Sequence, residues 1–84
     1  MLQDITGARV FEAVTPADTG DVLLRGATKK PPKGIYVGGA GNVAAIDYDG
    51  TTVTFVGVAA GTVLPIRPRD ITTASTATNM VALY

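Results

Sequence analysis

The stretch Asn42-Val43-Ala44-Ala45-Ile46-Asp47-Tyr48-Asp49-Gly50-Thr51-Thr52-Val53-Thr54-Phe55-Val56 decides the fold. Two runs of apolar and β-branched residues flank Asp49-Gly50, and Asp-Gly favours a two-residue type I′ hairpin turn. That turn would join strands at 42–48 and 51–56. It pairs Tyr48 with Thr51, Ile46 with Val53, and Ala44 with Phe55. These six share one largely apolar face. Val43, Ala45, Asp47, Thr52, Thr54 and Val56 form the other, mixed and Thr-rich. The Ile46/Val53/Phe55 face is therefore expected to be the core. Side chains alternate with a period of two, so a one-residue slip would exchange the faces.

Working outward, the spacing predicts strands at 9–14, 62–67, 69–73 and 79–84. In the first, Val10, Glu12 and Val14 share one face and Phe11 and Ala13 the other. Pro65 has no amide N–H to give a sheet, so the 62–67 strand belongs at an edge or bulge. The last strand has Met80, Ala82 and Tyr84 on one side and Val81 and Leu83 on the other. Apolar residues on both faces predict that it is covered on both, by its own core and by a neighbouring subunit. Residues 15–20, Thr-Pro-Ala-Asp-Thr-Gly, read as a turn. Residues 21–25 suit either a short strand or one helical turn. Residues 26–33 contain Lys29-Lys30-Pro31-Pro32-Lys33, which blocks helix and central strand and reads as an exposed loop, or as a small basic contact. Residues 1–8 read as an N-terminal arm. Short strands at this spacing predict an all-β fold: a single domain, residues 1–84, built as a small antiparallel β-sandwich or barrel of about six to seven strands.

Composition supports this. Val, Ile and Thr supply 10, 5 and 12 of the 84 residues, and these types suit a pleated surface better than a helix. No window shows a sustained apolar stripe of helical period, so little or no helix is expected. A chain this short buries only about 60–65% of its unfolded surface, which leaves a marginal core. With no Cys there are no disulfides to help it, so oligomerisation is the expected support. Between Gly34 and Ile66 only Asp47 and Asp49 ionise, which suits packing against other chains.

The same composition excludes functions. Seven basic and seven acidic residues cancel, which argues against nucleic-acid binding. No apolar run approaches the ~20 residues that span a bilayer, and no signal peptide is evident, so no membrane partner is expected. The absence of His and Cys removes the usual metal ligands and the usual neutral-pH acid–base group. No enzymatic activity, catalytic residue, metal or cofactor is expected.

Two motifs have simpler readings. Gly38-Gly39-Ala40-Gly41 lacks the following helix that a phosphate-binding loop requires. Its glycines instead answer a need for positive φ or for close backbone approach. Asp47-Tyr48-Asp49-Gly50 resembles the start of a calcium loop, but Val58 stands where the distal Glu should be, and a turn explains the residues. Arg67-Pro68-Arg69-Asp70 reads either as a solvated turn or as an interface anchor. The candidate interface residues are Tyr36, Asn42, Leu64 and Arg67, with Arg69, Leu83 and Tyr84.

Four ordered segments carry a family resemblance: residues 14–22 (VTPADTGDV), 34–46 (GIYVGGAGNVAAI), 50–67 (GTTVTFVGVAAGTVLPIR) and 76–84 (TATNMVALY). Together they resemble a family of small tailed-phage proteins. Its members include the spike-base proteins of gene transfer agents, phage-like particles of some alphaproteobacteria. Lys-Pro-Pro-Lys departs from the family's shorter link at that point. The resemblance implies a virion structural protein on the capsid exterior, assembled in the host cytoplasm. It would act as head decoration (cement) or as a spike or fibre base. The implied partners are the major capsid protein, further copies in a trimer or pentamer, and a fibre chain.

The alternative is a carbohydrate- or receptor-binding module of a fibre or tail. Such a module needs an exposed aromatic platform. Phe11, Phe55 and Tyr36 are expected in the core, which leaves few aromatics to build one.

Overall fold

The computed structural model describes residues 9–26 and 28–84. The expected N-terminal arm, residues 1–8, lies outside them. Seven strands follow in order: β1 Phe11–Ala13, β2 Gly34–Gly39, β3 Gly41–Ile46, β4 Thr52–Val58, β5 Thr62–Leu64, β6 Asp70–Ile71 and β7 Thr78–Leu83. All pairings are antiparallel. They form a four-stranded sheet, β1-β7-β2-β5, and a three-stranded sheet, β4-β3-β6. There is no helix among the described residues, and the fold is a small all-β sandwich.

The core lies between the sheets. Ile35, Val37, Met80 and Ala82 face inward from the four-stranded sheet, opposite Val43, Ala45 and Ile71 from the other. Leu23, Val58 and Ala77 complete the cluster, and Val14, Phe55, Leu64, Ile66 and Tyr84 pack against it. Fully burying one such aliphatic side chain contributes about 1.5–3 kcal/mol, so few residues account for the fold's stability.

The hairpin sits where the sequence places it, but its register is shifted by one. Ala45 pairs with Val53, Ala44 with Thr54 and Val43 with Phe55. The loop has three residues rather than two. The Asp47 carboxylate accepts the amides of Asp49 and Thr51, both at 2.9 Å, and the Gly50 amide donates to the Asp47 carbonyl at 3.1 Å. Gly50 takes φ +90°, the left-handed residue that commonly closes three-residue loops. The Asp47 side chain thus overrides the two-residue preference of Asp-Gly. The expected Ile46/Val53/Phe55 core face is corrected accordingly. Val53 and Phe55 share their face with Val43 and Ala45, whereas Ile46 lies on the opposite face beside Asp70. Thr52 and Thr54 remain exposed.

Strand β2 is the one strand the sequence does not announce, because only Ile35, Tyr36 and Val37 stand between glycines. Gly38 and Gly39 are needed for space. A Cβ on Gly38 would lie 2.7 Å from the Asn79 carbonyl oxygen, and one on Gly39 would collide with Thr78. Close approach of β7, not positive φ, explains them. Residues 21–25 are neither strand nor helix. They form a turn closed by the Leu24 amide on the Asp21 carbonyl, followed by a bridge between Arg25 and Lys30. Lys29 and Lys30 are exposed as expected of that loop, but Pro32 is fully buried.

Candidate interaction surface

The outer face of the four-stranded sheet is apolar across its width. Its register sets Ala13, Val81, Tyr36 and Val63 in one row, and Phe11, Leu83 and Gly34 in the next. None of these side chains carries a charge at neutral pH. Phe11 is 68% exposed, and Tyr36 and Val63 are also exposed, while Val81 and Leu83 are half-covered by their strand neighbours. Single exposed apolar residues are ordinary on a protein surface; a contiguous group of this kind makes a candidate interaction surface.

The opposite flank of the molecule is polar and internally bonded. Asp70 on β6 is 1% exposed, and its carboxylate accepts the amides of Val22 at 2.7 Å and Asp21 at 3.1 Å. Arg69 reaches the Asp21 carboxylate through Nε at 3.0 Å and Nη2 at 2.9 Å, and donates to the Tyr48 carbonyl at 3.2 Å. Asp18 accepts both the amide and the hydroxyl of Thr73, at 3.0 and 2.9 Å. These two bonds hold its carboxyl below the usual carboxylate range. The segment 17–23 is thereby strapped along β6, with the Ala17 amide on the Ile71 carbonyl and the Leu23 amide on the Arg69 carbonyl.

The seven candidate interface residues divide between these regions. Tyr36 and Leu83 lie on the outer apolar face. Arg67 is exposed beside a cleft. The other four are engaged within the fold. Asn42 sits at a β-bulge, where its side-chain oxygen accepts the Gly57 amide and its carbonyl accepts Thr76 and Ala77. Leu64 packs against the core from the edge strand β5, next to Pro65. Arg69 holds Asp21. The Tyr84 hydroxyl donates to the Leu23 carbonyl at 2.7 Å, with the Arg25 guanidinium 4.9 Å from its ring centre. Burial raises the Tyr84 phenol above its ordinary pKa.

No family model, curated protein or solved structure matches this chain.

The surface therefore has to be interpreted from its own chemistry. Phe11 and Tyr36, expected inside, are on the outer face instead. Alternation sets Phe11 and Ala13 opposite Glu12 and Val14 without saying which face is inside; Val14 packs on the core, so Phe11 and Ala13 point away from it. A second apolar feature lies beside the hairpin. A cleft of about 190 Å³ is lined by Ala45, Val53, Phe55, Ile66 and Pro68, with Asp47 and Arg67 at its rim. The Asp47 Oδ1 oxygen is taken up by its own turn.

Proposed function

We propose that this chain is a non-enzymatic structural protein of a phage particle, placed on the capsid exterior as head decoration or as a spike or fibre base. The observation that carries the reading is the uncharged outer face of the four-stranded sheet. Phe11, Tyr36, Val63, Val81 and Leu83 together offer a protein partner an apolar surface with no charge to desolvate. The opposite flank gives the complementary support, because its carboxylates and Arg69 bond within the chain. The marginal core expected of an 84-residue domain gains from burial against a larger body. The resemblance to small tailed-phage proteins supplies the kind of assembly: capsid protein beneath, symmetric copies alongside, and a fibre chain above.

A carbohydrate- or receptor-binding module is the second reading, favoured by the exposure of Phe11, Tyr36 and Tyr48. Sugar sites pair a stacking ring with polar groups around it. Here the neighbours of Phe11 and Tyr36 on their face are Ala13, Gly34, Val63, Val81 and Leu83, with an exposed amide, Asn79, beside Gly38 at the end of that face.

Quantifying the chain in purified particles separates the two. The structural role predicts stoichiometric copies on filled and empty heads. Absence from particles, together with binding to isolated polysaccharide, would overturn it in favour of the second reading.

A further inference from the structure

A sheet edge with free amides and carbonyls is a template for another strand, and proteins usually defend such edges. Three of the four edges here are defended. Strand β1 is three residues long and carries Glu12. Strand β5 is equally short and runs into Pro65. Strand β6 is covered by the segment 17–23. Strand β4 carries a bulge at its far end, opposite the step from Gly41 to Val43, where Gly57 takes φ +70°, but over residues 52–56 it is regular and differs from all of these. It has seven residues, Thr-Val-Thr-Phe-Val-Gly-Val, with no charge and no proline. Val56 is 78% exposed, and Val53 is 50% exposed although it lies on the inward face.

The direction of the free groups follows from the bonds of β3. The carbonyls of Ala44 and Ile46 accept the amides of Thr72 and Arg69, so these two residues bond towards β6. Alternation then turns Val43 and Ala45 towards β4, where they meet Phe55 and Val53. Among the described residues, the amides and carbonyls of Thr52 and Thr54, and of Val56 just before the bulge, are left pointing out of the open edge.

We infer that two copies of this chain join β4 to β4, antiparallel about a two-fold axis at Thr54, making one six-stranded sheet from two three-stranded ones. In this register Thr54 meets its own counterpart and Thr52 meets Val56 of the second copy. The three outward-bonding residues therefore satisfy one another. On the inner side Val53 lies opposite the second copy's Phe55, an aromatic–β-branched pair of the kind that stabilises sheets, and each covers the other's apolar cleft. Charge favours the same arrangement. Antiparallel pairing keeps the acidic tips, Asp47 and Asp49, at opposite ends, each beside the neutral Ala59-Ala60 of the other copy. A second copy supplies a strand of matching length, neutrality and spacing. This contact uses a different surface from the outer apolar face and does not rest on the capsid reading.

The chain has no cysteine, so single-cysteine variants report this contact alone. Sedimentation equilibrium of the full wild-type chain is expected to show a concentration-dependent dimer. Thr54→Cys, directly opposite itself, is expected to lock most of the protein as a disulfide dimer under mild oxidation. Val56→Cys is expected to cross-link at least about tenfold less, because the two copies of residue 56 stand four residues out of register, about 13 Å apart and beyond disulfide reach. A chain that stays monomeric up to millimolar concentration would overturn the inference. So would a dimer that Thr54→Cys fails to lock, or equal cross-linking by both variants. Absence of the chain from phage particles would leave this result standing.

Discussion

The two edges of the three-stranded sheet are built from opposite materials. At β6 the chain places a buried carboxylate, an arginine and two further aspartates, and bonds them to its own backbone and to one another. At β4 it places threonine and valine, and no other described strand covers the backbone. Both edges expose amides and carbonyls that need partners. One is satisfied from within the chain by a strap, and the other is available to a second chain. The same division holds for the molecule as a whole, with polar bonding concentrated around β6 and an uncharged surface on the outer face of the four-stranded sheet.

The comparison can be broken first at Asp70. Replacing Asp70 by Ala leaves the Asp21 and Val22 amides without their acceptor in a part-buried site. Urea unfolding is expected to show a loss of about 3 kcal/mol, the cost of orphaned donors that had bonded a charged group. A loss no larger than that of an ordinary surface substitution would mean that the strap does not hold β6. At the other edge, Thr54→Ala removes an exposed side chain with no hydrogen bond to the described residues, and monomer stability is expected to change by less than about 0.5 kcal/mol. The ratio of the two effects measures how differently the edges are held.

A smaller effect is expected at acid pH. The Asp18 carboxyl is held below its ordinary pKa by Thr73, so the folded state keeps it ionised to lower pH than the unfolded chain does. Its contribution is present above the unfolded value, near about 3.9, and is lost as pH falls through the folded value. Asp18→Asn is expected to flatten that part of the stability profile and leave the neutral-pH profile's shape unchanged. Thermal unfolding between pH 2 and 7 checks this. An identical acid limb in wild type and variant would remove Asp18 from the strap.

Several elements are legible from the residues alone. Pro65 marks an edge, and β5 is one. The two-faced pattern of residues 79–84 predicts cover on both faces; β7 turns Met80 and Ala82 into the core, while Val81 and Leu83 lie half-covered on the outer face. Asp49-Gly50 locates the hairpin tip. Its register was out of reach because the deciding interaction is a side chain, Asp47, bonding amides two and four residues ahead. Asp70 was hidden for a different reason. Within Arg67-Pro68-Arg69-Asp70 it looks like part of a solvated charge cluster, and the amides that bury it come from 48 and 49 residues earlier in the chain. Strand β2 escaped notice because its glycines look like a loop until β7 is seen pressing on them. The outer apolar face is half-legible: Tyr36 and Leu83 stand out as residues that suit an interface, whereas the charge of Glu12 on the opposite face of β1 makes Phe11 read as inward.

Hydroxyl-radical footprinting of the chain, free and on purified particles, tests the proposed role most directly. Phe11 and Tyr36 lie on the face proposed to pack against another chain, and Tyr48 at the hairpin tip, also exposed, serves as an internal reference. The proposal predicts that Phe11 and Tyr36 lose most of their reactivity on particles while Tyr48 keeps its own. Equal reactivity of Phe11 and Tyr36 in both states would contradict it.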